Sequence, residues 1–138
     1  MNILAFLTPK EFTAYIEVNS TIRDFLEKHD YRRFTVVPII DEDGHFVTTV
    51  SEGDILSYLR NSASFDLSIT EAELIDNIGH YRPYKALDVN CSIKDVIELS
   101  LNQNFIPMID DRGMYIGIIK RRDIIEYFSK KFPIYEEN

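Results

Sequence analysis

A stretch of this chain is written twice, and that repeat limits the fold more than any single motif. Val18-Asn19-Ser20-Thr21-Ile22-Arg23-Asp24-Phe25-Leu26-Glu27 returns as Val89-Asn90-Cys91-Ser92-Ile93-Lys94-Asp95-Val96-Ile97-Glu98, like replacing like. Pro38-Ile39-Ile40-Asp41-Glu42-Asp43-Gly44 returns as Pro107-Met108-Ile109-Asp110-Asp111-Arg112-Gly113, and Asp54-Ile55-Leu56-Ser57-Tyr58-Leu59 as Asp123-Ile124-Ile125-Glu126-Tyr127-Phe128. Three matched blocks in one order mark an internal duplication. The spacing slips by two residues after the first block, as a short deletion at the end of the first helix of copy two would produce.

Each block has a legible local structure. Thr21 and Ser92 precede Asp24 and Asp95 by three residues, a capping-box pattern that opens a helix. Ile22, Phe25 and Leu26, like Ile93, Val96 and Ile97, then lie on one apolar helical face. The β-branched and aromatic runs at 34–40 and 105–109 predict buried strands. Asp41-Glu42-Asp43-Gly44 and Asp110-Asp111-Arg112-Gly113 are turns that send each chain back as a hairpin, into strands at 46–50 and 115–119. A second helix closes each copy. With first strands at 14–16 and 86–89, the unit is β-α-β-β-α.

At about 50 residues one unit buries too little apolar surface to stand alone. The expected fold is therefore α+β: two β-α-β-β-α repeats packed sheet to sheet about a pseudo-twofold axis. Residues 1–60 form the first repeat, 61–80 a linker and 81–138 the second repeat. The linker reads as polar apart from a short helix at 68–76, where Thr70 and Glu73 form another capping pair.

Charge narrows the partners. Fifteen basic against twenty-three acidic residues leave −8, a field that repels polyanions, so nucleic acid is not the expected partner. A small anion remains compatible where a few basic groups converge. No apolar run approaches the roughly 20 residues that a spanning helix needs. The lone cysteine, Cys91, has no internal disulfide partner, so a cytoplasmic location is the expectation.

With these blocks in hand, the chain resembles a tandem pair of CBS domains, a free-standing Bateman module. The resemblance rests on the duplicated unit and on the apolar-Pro-apolar-apolar-Asp strands at 37–41 and 106–110. It also rests on the glycine of each following turn and on Val50-Ser51-Glu52-Gly53-Asp54-Ile55-Leu56, which is similar to the family's Ser/Thr-x-x-Asp-apolar-apolar ending. It runs from about Phe6 to Phe128 and leaves no room for a catalytic domain. It implies a regulatory module, not an enzyme, that needs no cofactor. The implied ligand is adenosine-containing (AMP, ADP, ATP, S-adenosylmethionine or cyclic di-AMP), bound in clefts between the repeats. The implied output is a signal to a protein partner or within a homodimer.

The resemblance also places the site. Tyr15, Ile16, Thr35, Val36 and Val37, and Asn104, Phe105 and Ile106, would offer apolar walls and backbone edges to adenine. Asp54 and Asp123 match the ribose-binding carboxylates. Ser51, at a helix start, suits a phosphate, and Arg33, Lys85 and Lys120 belong to the basic set around it. The second copy departs from the family pattern, with Lys120 where Ser or Thr is usual; it meets a phosphate as a point charge, faces solvent or clogs the cleft. Thr48 stands where the second copy has Gly117, which bears on how closely a ligand approaches.

Plainer readings of the same residues exist. Ser51 to Asp54 is also an ordinary helix cap. Asp41-Glu42-Asp43-Gly44 lacks the glycine that a calcium loop needs at its sixth place, where Phe46 stands, so it reads as a hairpin turn. His29, His45 and His80 share no metal-ligand spacing with Cys91 or with one another. No nucleophile-base signature and no glycine-rich phosphate loop occurs. The rival to a ligand sensor is a ligand-free structural module for dimerisation and protein docking.

Overall fold

A computed structural model describes residues 2–28, 36–62 and 68–132. In the first repeat, β2 (Ile16–Glu17) leads into α1 (Ile22–Lys28), β3 (Val36–Ile40), β4 (Phe46–Ser51) and α2 (Glu52–Asn61). The second repeat runs β5 (Leu87–Asp88), α4 (Ile93–Ser100), β6 (Phe105–Ile109), β7 (Tyr115–Lys120) and α5 (Arg121–Lys131). Ahead of them lies β1 (Leu7–Pro9), and between them a single turn of helix, α3 (Ile69–Ala72). The β-α-β-β-α order is as expected, with first strands of only two residues.

The hairpins of the two repeats are copies down to the register. Val37 faces Val50 and Pro38 faces Thr49 in one; Ile106 faces Ile119 and Pro107 faces Ile118 in the other. Both carry a bulge at the same place, after Ile39 and after Met108. A proline in a central strand needs an unpaired side, because it has no N–H to give. The short first strands supply it: β2 pairs only with Ile39 and Ile40, and β5 only with Met108 and Ile109.

The pseudo-twofold relation shows in one reciprocal exchange. Phe46 N–H donates to Gly113 O at 3.0 Å, and Tyr115 N–H donates to Gly44 O at 2.9 Å. Swapping the repeats turns each bond into the other. Gly44 and Gly113 make these turns at φ 95° and 79°, where a side chain would be strained. Asp41 Oδ1 accepts the N–H groups of Asp43 and His45, as a turn-forming Asp does, so the acidic run is the hairpin turn the sequence predicts.

Each sheet has its own core. Ile16, Ile22, Phe25, Val37, Ile39, Val50 and Ile55 fill the first, and Val96, Ile106, Met108, Ile119 and Ile124 fill the second. Two segments depart from the sequence division. The sequence division places residues 1–60 in the first repeat, yet β1 pairs antiparallel with β7, and Ile3 is buried in the second core. The linker is likewise docked, not free. Ile75 and Ile78 enter the first core, Ile22 N–H donates to Glu73 O, and Ile75 N–H donates to Ser20 O. The capping pair expected of Thr70 and Glu73 does not open this helix: Thr70 is inside α3, and Glu73 ends it with its N–H on Ile69 O.

Gly117 explains why, among the described residues, only one sheet gains a fourth strand. Its φ is 147°, and a Cβ there would stand 2.1 Å from Thr8 O in β1. The close approach that the glycine allows is therefore to a neighbouring strand. Thr48 occupies the matching place in β4, which is an edge strand.

Candidate functional site

Ser51 is the N-cap of α2, and the box expected there is complete. Asp54 N–H donates to Ser51 Oγ at 3.1 Å, and Ser51 N–H donates to Asp54 Oδ2 at 2.9 Å. Asp54 is 5% exposed, and its other oxygen, Oδ1, accepts the N–H of Tyr81 at 3.1 Å. His80 stands against the same group, its Nδ1 3.9 Å from Oδ2. That nitrogen lies 3.0 Å from Thr49 O, and because a carbonyl only accepts, the proton sits on Nδ1. Nε2 is buried with no hydrogen-bond partner among the described residues.

The chain from His80 to Lys85 is a strap laid across both repeats. Tyr84 N–H donates to Thr49 Oγ1 at 2.8 Å on the first repeat. On the second, the Tyr84 ring meets Phe105 edge to face with centroids 4.9 Å apart, and Asn104 N–H donates to its hydroxyl at 3.3 Å. Gln103, buried, clasps the strap: it accepts from Lys85 N–H at 2.7 Å and donates to Lys85 O and Phe105 O at 3.0 and 3.1 Å. Beside it lies a hollow of about 440 Å³ lined by Arg82, Tyr84, Lys85, Asn102 and Gln103 among others.

The start of α5 is built differently. Lys120 is its N-cap and, unlike Ser51, offers no side-chain acceptor to the first turn. Asp123 is half-buried, and its carboxylate makes no hydrogen bond among the described residues. Arg121 is committed to structure: its guanidinium donates to Ser100 O at 3.2 Å and to Asn104 Oδ1. Lys120 and Arg122 are exposed. A hollow of about 570 Å³ lies beside them, lined by Asn104, Arg121, Arg122, Ile125 and Glu126. The two carboxylates at equivalent places thus have opposite status. Asp54 is spent on the fold and Asp123 is not.

The expected site residues divide accordingly. Ser51 and Asp54 meet the strap, and through it Lys85, Asn104 and Phe105. Lys120 and Arg121, at the start of the helix that carries Asp123, adjoin the same Asn104 and Phe105, because Lys120 pairs with Phe105 and Arg121 N–H donates to Asn104 O. Val36 begins β3 opposite Ser51. Ile16, Val37 and Ile106 are core residues at 4%, 0% and 0% exposure, so their side chains form no ligand wall. Tyr15 is turned to another cluster, under Lys10 Nζ and against the Tyr115 ring. Tyr115 is 2% exposed; burial pushes its phenol up to about 12, and its hydroxyl lies 2.8 Å from Thr13 Oγ1. Arg33 and Thr35 lie outside the described residues.

Thr49, His80, Tyr81, Tyr84 and Gln103 were not among the expected site residues. The signal present in the sequence is Tyr81-Arg82-Pro83-Tyr84, two aromatics around a proline where the linker meets the second repeat.

Comparison with known proteins follows the duplication. The CBS domain family model matches residues 10–61 and 75–130. The chain is 23% identical over 116 residues to the 5'-AMP-activated protein kinase subunit gamma of Saccharomyces cerevisiae, an alignment covering 80% of this chain and 35% of that one. It therefore spans about a third of that relative's length. Among solved structures, CbpB in complex with c-di-AMP superposes with TM-score 0.81 at 18% identity, covering 94% of this chain and 85% of that one. CBSX2 in complex with AMP superposes with TM-score 0.71 at 21% identity, covering 94% and 97%. These likenesses establish the fold. Among the described residues, no helix is long and apolar enough to cross a membrane.

Proposed function

The chain belongs to the CBS domain family, and from that premise we propose that it is a regulatory module whose second repeat binds an adenine nucleotide. It acts by binding, not by catalysis. The ribose diol donates to Asp123, the phosphate sits at the start of α5 beside Lys120, and Tyr84, Asn104 and Phe105 lie on the adenine side. One observation carries this choice of site: Asp54 already accepts from Ser51 and Tyr81, whereas Asp123 has no partner among the described residues. An ionised carboxylate with free lone pairs can accept from both hydroxyls of a diol. A helix start without a side-chain cap, with basic neighbours, favours an anion.

Nucleotides in the two similar structures, AMP in one and c-di-AMP in the other, support the ligand class. A mononucleotide at one helix start is the form that this asymmetric pair of carboxylates favours. Signalling then follows from differential affinity. A ligand that touches both the strap and the second repeat favours the arrangement in which both contacts are made, and shifts the equilibrium by that difference alone.

Calorimetry against AMP, ATP, S-adenosylmethionine and cyclic di-AMP tests the reading. Asp123→Asn should weaken nucleotide binding by about 10- to 100-fold, the worth of hydrogen bonds to a charged acceptor. Silence toward the whole panel at millimolar concentration would favour the ligand-free structural module instead.

A further inference from the structure

Between Ile78 in the first core and Leu87 in β5, the strap has neither helix nor strand. Tyr81, Arg82, Pro83 and Lys85 are exposed, Tyr81 at 66%. Among the described residues, no backbone-to-backbone hydrogen bond reaches 80–85. Side chains of the two repeats hold its main chain instead. On the first repeat, Asp54 and Thr49 accept the N–H groups of Tyr81 and Tyr84. On the second, Gln103 accepts from Lys85 N–H and donates to Lys85 O. None of these bonds belongs to a sheet ladder, so the strap can leave without taking a ladder bond from either sheet. A segment with few buried apolar contacts opens at the low end of a protein's stability range.

We propose that residues 80–85 are a lid that opens and closes as one unit, latched by Gln103 on one repeat and by Asp54 and Thr49 on the other. Tyr84 joins the two ends. Its backbone N–H is held by Thr49, while its ring and hydroxyl are held by Phe105 and Asn104. Release on either side therefore pulls on the other, and Pro83, with its fixed φ, stiffens the link back to Tyr81. The consequence for regulation rests on the nucleotide reading above. Tyr84, Asn104 and Phe105 lie on the adenine side there, so a nucleotide packed on them binds the closed lid better than the open one. That difference draws the lid shut. The closed lid sets Tyr81 N–H on Asp54 at the start of α2, and occupancy of the second repeat is felt in the first.

Residue-resolved amide hydrogen exchange on the full chain without nucleotide tests the lid. Tyr81, Tyr84 and Lys85 should exchange about 100-fold or more faster than the amides of β3 and β6. Gln103→Met removes the latch on the second repeat and should speed exchange at Tyr81, on the first, by about tenfold. Thr49→Val is the reciprocal change and should speed Lys85, on the second, in the same way. The amides of β3 and β6 report that each variant is folded, and if Gln103→Met does not fold, Thr49→Val decides alone. Acceleration confined to the substituted side overturns the proposal, as does a wild-type strap that exchanges as slowly as the strands. AMP at about a hundred times its calorimetric dissociation constant should slow exchange at Tyr81 by about tenfold or more. Bound AMP with unchanged exchange at Tyr81 overturns the relay between the repeats. Calorimetric silence toward AMP removes the nucleotide reading and the relay with it, while the two variants still decide the lid.

Discussion

Asp54 Oδ1 accepts the backbone N–H of Tyr81 at 3.1 Å, and this bond ties the start of α2 to a segment 27 residues further along the chain. The carboxylate that best matches a ribose ligand in the sequence is thereby a structural acceptor. Asp54→Ala should cost about 1–3 kcal/mol, combining a lost helix cap with an orphaned N–H. Urea denaturation measures it. Nucleotide affinity at the second repeat should change far less than with Asp123→Asn, and an equal loss in both variants would return Asp54 to the binding site.

The strap depends on a second bond, Tyr84 N–H to Thr49 Oγ1. Thr49 is 1% exposed, and valine has its shape without the oxygen. Thr49→Val should therefore destabilise the protein by about 1–2 kcal/mol despite conserving volume, because the N–H loses its acceptor. Amide hydrogen exchange at Tyr84 should accelerate more than exchange in α4. Protection unchanged at Tyr84 would show that the bond contributes nothing to holding the strap.

Gly117→Ala should dislodge β1 from β7, since the added methyl would meet Thr8 O at 2.1 Å on a backbone already at φ 147°. The expected loss is about 2–4 kcal/mol, as for other substitutions that combine backbone strain with overpacking. Protease accessibility near Leu7 should rise with it. A variant as stable and as resistant as wild type would mean that β1 contributes little to the second core.

Alkaline pH should act through Tyr115. Its phenol lies at about 12 in the fold against 10 when free, because burial disfavours the phenolate. The unfolded chain therefore gives up its proton first, and stability falls as pH rises through 10 toward 12. The loss is on the order of 2 kcal/mol. Tyr115→Phe should flatten that limb while removing the contact with Thr13 Oγ1. An unchanged pH dependence in the variant would assign the limb to other groups.

Acid should act through the turns and caps. Backbone N–H groups of His45, Met114 and Ser92 hold Asp41, Asp110 and Asp95 below the usual carboxylate range. Their contribution is present above the free carboxylate range and is lost as pH falls through the depressed values. Asp41→Asn together with Asp110→Asn should shallow the acid limb of urea denaturation curves, and an unaltered slope would exclude the two turns as its source.

How much was legible in the sequence follows from the range of the forces involved. Helix starts at Thr21, Ser51 and Ser92, the turns at Gly44 and Gly113, the paired hairpins and the two-repeat α+β architecture are set by neighbours a few residues apart. Their side chains and hydrogen bonds can be named from spacing alone. The partners of Asp54, the place of β1 beside Gly117 and the docking of Ile75 and Ile78 each join segments far apart in the chain. Only packing in three dimensions chose them. The same holds for the difference between Asp54 and Asp123: equivalent in sequence, they part because a strap from between the repeats reaches one carboxylate, and among the described residues nothing reaches the other.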